Sequence, residues 1–141
     1  MLPGGAEIRI EEGVLYWENH DDRLTATEAR TISNEIRHLV ERTPLKGMVV
    51  DNRRVSGNWP PEMDRVWIDL MAFIPEHALK AATVCPSVID KLQFNYLSSQ
   101  AGAADSVRAF VAEEREALCS FLEVQRIHLA GVGSESRGDE I

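Results

Sequence analysis

The sequence predicts a single α/β domain built on a mixed, mostly parallel sheet of about five strands with four helices. Three observations carry that expectation. Short apolar runs alternate along the chain with longer segments whose apolar residues recur every three or four positions. The run Gly47-Met48-Val49-Val50-Asp51 is apolar until its closing acid, as expected of a strand covered on both faces. A length of 141 residues is enough for one domain with a real core and too short for two of ordinary size.

In chain order, Glu7 to Ile10 and Val14 to Glu18 read as strands, with a hairpin turn at Glu11-Glu12-Gly13 between them. Asn19 to Arg23 is a polar loop. Thr25-Ala26-Thr27-Glu28 then matches a capping box, in which a threonine and a glutamate satisfy each other's free amides. The helix behind it places Ala29, Ile32, Ile36, Leu39 and Val40 on one face, and Thr43-Pro44 ends it. After the strand 47–51, a polar loop leads to Pro60-Pro61-Glu62. Proline suits a first helical position because its missing N–H would be unbonded there anyway.

The second helix carries Met63, Val66, Trp67, Leu70, Met71 and Ile74 as an apolar stripe and is expected to stop at Pro75. Ile68 and Phe73 lie off that stripe. Lys80 to Cys85 reads as the next strand, and Pro86-Ser87 opens a third helix to about Ser98, with Ile89, Leu92 and Tyr96 expected to face inward. Val107 to Val111 is the last strand. A fourth helix from Ala112 to about Val124 buries Leu118, Phe121 and Leu122 and carries Glu113, Glu114 and Glu116 in its first turn, where the helix dipole favours acids. The order is therefore β-β-α-β-α-β-α-β-α. The domain is expected to span 1–127, with 128–141 a polar tail of a composition that need not fold.

Composition narrows the function classes. Apolar residues make up 44% of the chain and charged residues 27%, values of an ordinary globular protein. The longest apolar runs, of four to six residues, fall far short of the roughly 20 that a membrane-spanning helix needs, so no membrane partner is expected. The N-terminus lacks the basic and apolar regions of a secretory signal, which makes the cytoplasm the expected location. A net charge of −8 repels polyphosphates, and Arg53-Arg54 is the only basic doublet, so no nucleic acid is expected.

The strand Met48-Val49-Val50-Asp51 is followed by a turn and a helix. The chain ends with Val107-Arg108-Ala109-Phe110, then Glu116-Ala117-Leu118 and Phe121-Leu122. With the order and spacing of elements over about residues 7 to 124, these features resemble the STAS (SpoIIAA-like) family, which includes bacterial anti-sigma-factor antagonists. The resemblance implies a SpoIIAA-like fold and a regulatory role through protein contacts. In switch-type members the strand's aspartate is followed, about nine residues on, by a phosphorylatable serine at the start of the next helix. Phosphate there adds negative charge at a helix N-terminus and blocks a partner surface. In this chain the matching positions are Pro60 and Pro61, which cannot accept phosphate. Ser56 is a displaced candidate acceptor, although a loop serine beside a glycine ordinarily serves turn chemistry.

Candidate site residues are few. Asp51 closes a buried strand at the sheet edge where α/β proteins tend to bind ligands; it is either a polar anchor in a cleft or a cap on local amides. Asn52, Arg53 and Arg54 beside it offer a hold for an anionic ligand, or plain charge balance. Cys85 precedes a helix start, a position that can activate a thiol, yet the end of an apolar strand more often holds an inert core cysteine. His20, His38, His77 and His128 are scattered singly, so no metal site is expected. The phosphate loops GxxxxGK and GxGxxG and the GxSxG elbow are absent, and no cofactor or catalytic residue is expected. Trp59, in the loop before the second helix, either staples onto that helix or faces a partner; Ile68 and Phe73 extend the partner-surface candidate.

The expected function is a non-enzymatic interaction or regulatory module that lacks the phosphoacceptor serine and contacts a protein partner or a second copy. The competing reading is an anionic-ligand binding domain, or a weak enzyme, in the cleft at Asp51.

Overall fold

The computed structural model describes residues 2–21, 23–55 and 59–129; Ser56 and residues 130–141 of the expected tail lie outside them. The strands are β1 (Glu7–Glu11), β2 (Val14–Glu18), β3 (Gly47–Asp51), β4 (Ala81–Cys85) and β5 (Val107–Val111). The helices are α1 (Ala26–Arg42), α2 (Pro61–Glu76), α3 (Val88–Gln100) and α4 (Arg115–Leu122). They follow the expected order. The five strands form one sheet in the order β1-β2-β3-β4-β5, with the first pair antiparallel and every later pair parallel.

Position along the chain thus equals position across the sheet. Right-handed crossovers between neighbouring parallel strands then put α1, α2 and α3 on one face. There Ile32 and Ile36 of α1 and Met63 and Leu70 of α2 pack on Leu15 and Met48. On the other face, Leu118 and Leu122 of α4, with Ile127, cover Val49, Val84 and Phe110. The middle strands β2, β3 and β4 are buried along their whole length, as their unbroken apolar runs require.

Local chemistry sets the boundaries. Glu12 and Gly13 both take positive φ, 53° and 83°, in the two-residue turn that joins Glu11 to its partner Val14. Turns of this hand match the twist of the strands they connect. The capping box on α1 is formed: Thr25 Oγ1 accepts from the Glu28 amide at 3.1 Å, and Glu28 accepts from the Thr25 amide at 2.9 Å. Pro61 opens α2, but Pro75 falls inside its last turn rather than beyond it. The expected fourth helix divides into a 3-10 turn, Ala112–Glu114, and α4 itself, which is capped by Glu123 at φ 61°. The packed chain also passes the expected domain boundary, since the His128 amide donates to the Tyr16 hydroxyl at 3.0 Å and Leu129 packs on the core.

Two expectations about facing are reversed. Phe73 is not on a surface: it is buried at 7% exposure, beneath Arg37 of α1 and against the His77 ring. On α3, Ile89, Leu92 and Tyr96 point outward at 68%, 61% and 64% exposure, not into the core. The cause lies in β5, an edge strand whose outer backbone groups need partners. The α3 side facing β5 supplies them. Asn95 Oδ1 accepts from the Ala109 amide at 2.8 Å while its Nδ2 donates to the Ala109 carbonyl at 3.4 Å. The Ser98 hydroxyl donates to the Val107 carbonyl at 2.6 Å. Glu114, held by Lys91 Nζ at 2.8 Å, accepts from the Val111 amide at 3.0 Å. Lys91, Asn95 and Ser98 form a polar stripe at helical spacing, and satisfying an edge strand turns that stripe inward.

Candidate functional site

The carboxyl ends of β3 and β4 carry most of the residues that the sequence marks for a ligand, but the fold divides them. Asp51 is buried and its carboxylate is filled locally. Arg53 donates to it through the backbone amide at 3.1 Å, through Nε at 2.9 Å and through Nη2 at 2.7 Å. That fork-on-carboxylate geometry pushes the Arg53 guanidinium above its ordinary pKa, with the hydrogen bond to Asp51 as the main cause. Asp51 therefore caps its own loop. Arg54 turns to the β1–β2 side, where Nη1 lies 2.8 Å from His20 Nδ1. Because an arginine only donates, His20 receives that bond and its Nε2–H points at Glu18 Oε1, 2.9 Å away. Glu7, Glu18 and His20 bring their donor atoms within 4.8 Å of one another. Arg54 at 3.9 Å and Arg9 at 4.0 Å flank Glu18, and the group reads as an ion-paired cluster.

Asn52 and Cys85 do reach an open groove. It holds about 510 Å³ between the start of α2, the β4–α3 turn and the side of α3, with Trp59, Asp64, Phe94 and Tyr96 along it. Asp51, Arg53 and Arg54 are not in its wall. The anionic-ligand arrangement expected from the sequence is thus not assembled. The Cys85 thiol is pushed up to about 12 by burial, with the nearby Asp90 adding to the effect and Lys91 opposing it. A thiol held protonated by burial is a poor nucleophile at neutral pH.

Trp59 takes the stapling position. It is half-buried, meets Trp67 edge-on with ring centroids 6.2 Å apart, and its indole N–H donates to Asp64 at 2.9 Å. Trp67 in turn packs on Trp17 at 5.7 Å. The Trp17 N–H is also bonded, to Asn19 Oδ1 at 2.8 Å, and Asn19 passes the chain on to Asn52 Oδ1 at 2.7 Å. Ile68 is half-buried. Of the three partner-surface candidates, Trp59 and Ile68 are half-buried and Phe73 is buried.

The surface feature that sequence reasoning missed is the outer side of α3. Among the described residues, four of the five exposed large hydrophobics are Val88, Ile89, Leu92 and Tyr96. The signal that finds it is the polar stripe Lys91, Asn95 and Ser98 on the opposite side of the same helix.

Layers and topology define the class of protein: an α/β domain whose five-stranded mixed sheet is covered by helices on both faces. No family model matches the chain, and no curated protein does. Four chains among the solved structures match. One is the NMR structure of the protein TM1081, with a TM-score of 0.59, 13% identity, and coverage of 84% of this chain and 88% of that one. At that identity the likeness establishes a shared fold and nothing further. Among the described residues, no helix is long and apolar enough to cross a membrane.

Proposed function

We propose that the protein is a non-enzymatic interaction module of the STAS/SpoIIAA-like kind, regulatory in role, whose contact surface is the outer side of α3. The observation that carries this reading is a local absence of charge on an acidic protein. The exposed residues of α3 are Val88, Ile89, Leu92, Gln93, Tyr96, Ser99 and Gln100, none of them ionisable near neutral pH. Apolar and aromatic groups with few charges are the composition of an interface centre. The partner this surface fits best is a second copy: two chains of net charge −8 repel on average, and a charge-free patch is where that repulsion is least. A two-fold axis through α3 makes such a patch self-complementary. The buried, locally paired Asp51 and the protonated Cys85 give no support to catalysis.

Light scattering after size-exclusion chromatography tests the reading. A dimer is expected at tens of micromolar, and the double variant Ile89→Asp/Leu92→Asp is expected to run as a monomer with unchanged circular dichroism. A wild-type chain that stays monomeric at millimolar concentration would sink the self-association.

A further inference from the structure

All three tryptophans of the chain border one crevice. It lies between the sheet and the facing sides of α2 and α3, walled by Trp17, Val50, Trp67, Leu70, Thr83 and Phe94 among others. Its volume of about 60 Å³ has room for roughly four to six water-sized groups. Outward it joins the 510 Å³ groove, with which it shares Asn52, Trp59, Phe94 and Leu97.

Two residues of that wall each carry a buried polar atom with no hydrogen-bond partner: Trp67 Nε1 and Thr83 Oγ1. The other two indoles are both bonded, Trp17 to Asn19 and Trp59 to Asp64. Buried polar groups in proteins are almost always paired, so two orphaned atoms on residues that wall one cavity call for a cause. Thr83 is fully buried, at 0% exposure, between the apolar neighbours Ala82 and Val84. A valine would fill the same space and leave no hydroxyl unbonded. What the two orphans share is the crevice.

We infer that the crevice is a binding site for a small, neutral, largely apolar molecule carrying a hydrogen-bond-accepting oxygen. The oxygen is required because an indole N–H only donates, whereas the Thr83 hydroxyl can donate or accept. Neutrality follows from the wall, which holds no charged side chain. A buried carboxylate would find no counter-charge there. The nearby arginines are engaged elsewhere, Arg53 on Asp51 and Arg54 on His20. Length follows from volume. Any molecule larger than the inner chamber runs out past Trp59 and Phe94 into the groove, where Leu92 and Tyr96 offer apolar contact. The inner crevice rests on observations separate from the interaction reading, although the groove shares Leu92 and Tyr96 with that surface; the variants that test it, at Thr83 and Trp67, leave the outer side of α3 unaltered.

The probes are 1-octanol, octane and octanoate, followed by tryptophan emission for the wild type and by calorimetry for the variants. 1-Octanol is expected to bind saturably and to shift the emission, with octane and octanoate at least several-fold weaker. Thr83→Val is expected to fold, to melt no lower than the wild type, and to bind 1-octanol about three- to tenfold more weakly, the effect of losing one net hydrogen bond. Trp67→Phe should weaken it to a similar degree. The inference is overturned by no saturable response up to the solubility limit of 1-octanol, the outcome expected if trapped water satisfies both atoms. It is equally overturned if neither variant weakens binding, if octane binds as tightly as 1-octanol, or if octanoate binds more tightly.

Discussion

The Asn95 carboxamide holds both backbone groups of Ala109, receiving its N–H at 2.8 Å and donating to its carbonyl at 3.4 Å. One side chain thus stands in for the neighbouring strand that β5 lacks. Asn95→Ala should cost about 1–3 kcal/mol, because the outer groups of Ala109 lose their partners beneath a helix that hinders water. Urea unfolding measures the loss. Static light scattering near the midpoint should also show more association than in the wild type, since an uncovered edge strand invites pairing between chains. A variant that matched the wild type in both measurements would leave Asn95 as a bystander.

Burial, not oxidation state, controls Cys85. With its pKa raised from 9.0 to about 12, its thiolate fraction at pH 7.5 falls about a thousandfold. In a Cys119→Ser background, an aromatic disulfide reagent should label the native protein orders of magnitude more slowly than the unfolded chain. Rapid stoichiometric labelling in native buffer would contradict the packing at the end of β4.

Glu114 links acid stability to the same edge. Its carboxyl is held below the ordinary 4.5, first by Lys91 and then by the Val111 amide. The folded form therefore favours the ionised carboxylate. The resulting stabilisation is complete above the unfolded pKa and disappears as pH falls through the lower folded value. Glu114→Gln should melt below the wild type at pH 7, and the two curves should converge as the pH is lowered through about 4 and beyond. A gap that stayed constant down to pH 3 would show that the side chain acts by shape alone.

Phe73 and Trp59 should separate sharply on truncation. Phe73→Ala empties a buried site between α1 and α2 and should cost about 3–5 kcal/mol. Trp59 is only half-buried and stabilises the entry to α2 from outside, so Trp59→Ala should cost clearly less. Denaturant midpoints of the two variants decide this. Equal losses would mean that Trp59 is as much a part of the core as Phe73.

Much of the fold was legible because the sheet interior writes itself locally. Val14 to Glu18, Gly47 to Asp51 and Val107 to Val111 stand where their apolar runs place them. Thr25 and Glu28 announced the start of α1 through chemistry confined to four residues. The orientation of α3 was hidden for the opposite reason. Its apolar side looks like a core stripe until one knows that β5 has no outer neighbour, a fact of topology that no window of sequence contains. Asp51, Arg53 and Arg54 were legible as residue types but not as a site, because Arg53 closes on Asp51 two positions away while Arg54 turns to His20, which is 34 residues distant in sequence. The orphaned atoms of Trp67 and Thr83 come from different elements, and only the fold sets them around one space.

The strand order also bears on how the chain can be assembled as it is made. Each parallel strand beds against the one synthesised just before it, so from β2 to β5 the sheet can grow at its newest edge without waiting for distant sequence. The last described residues break this pattern, carrying His128 back across to Tyr16 of β2. They lie as a clasp across a sheet whose parallel strands synthesis delivers in their spatial order.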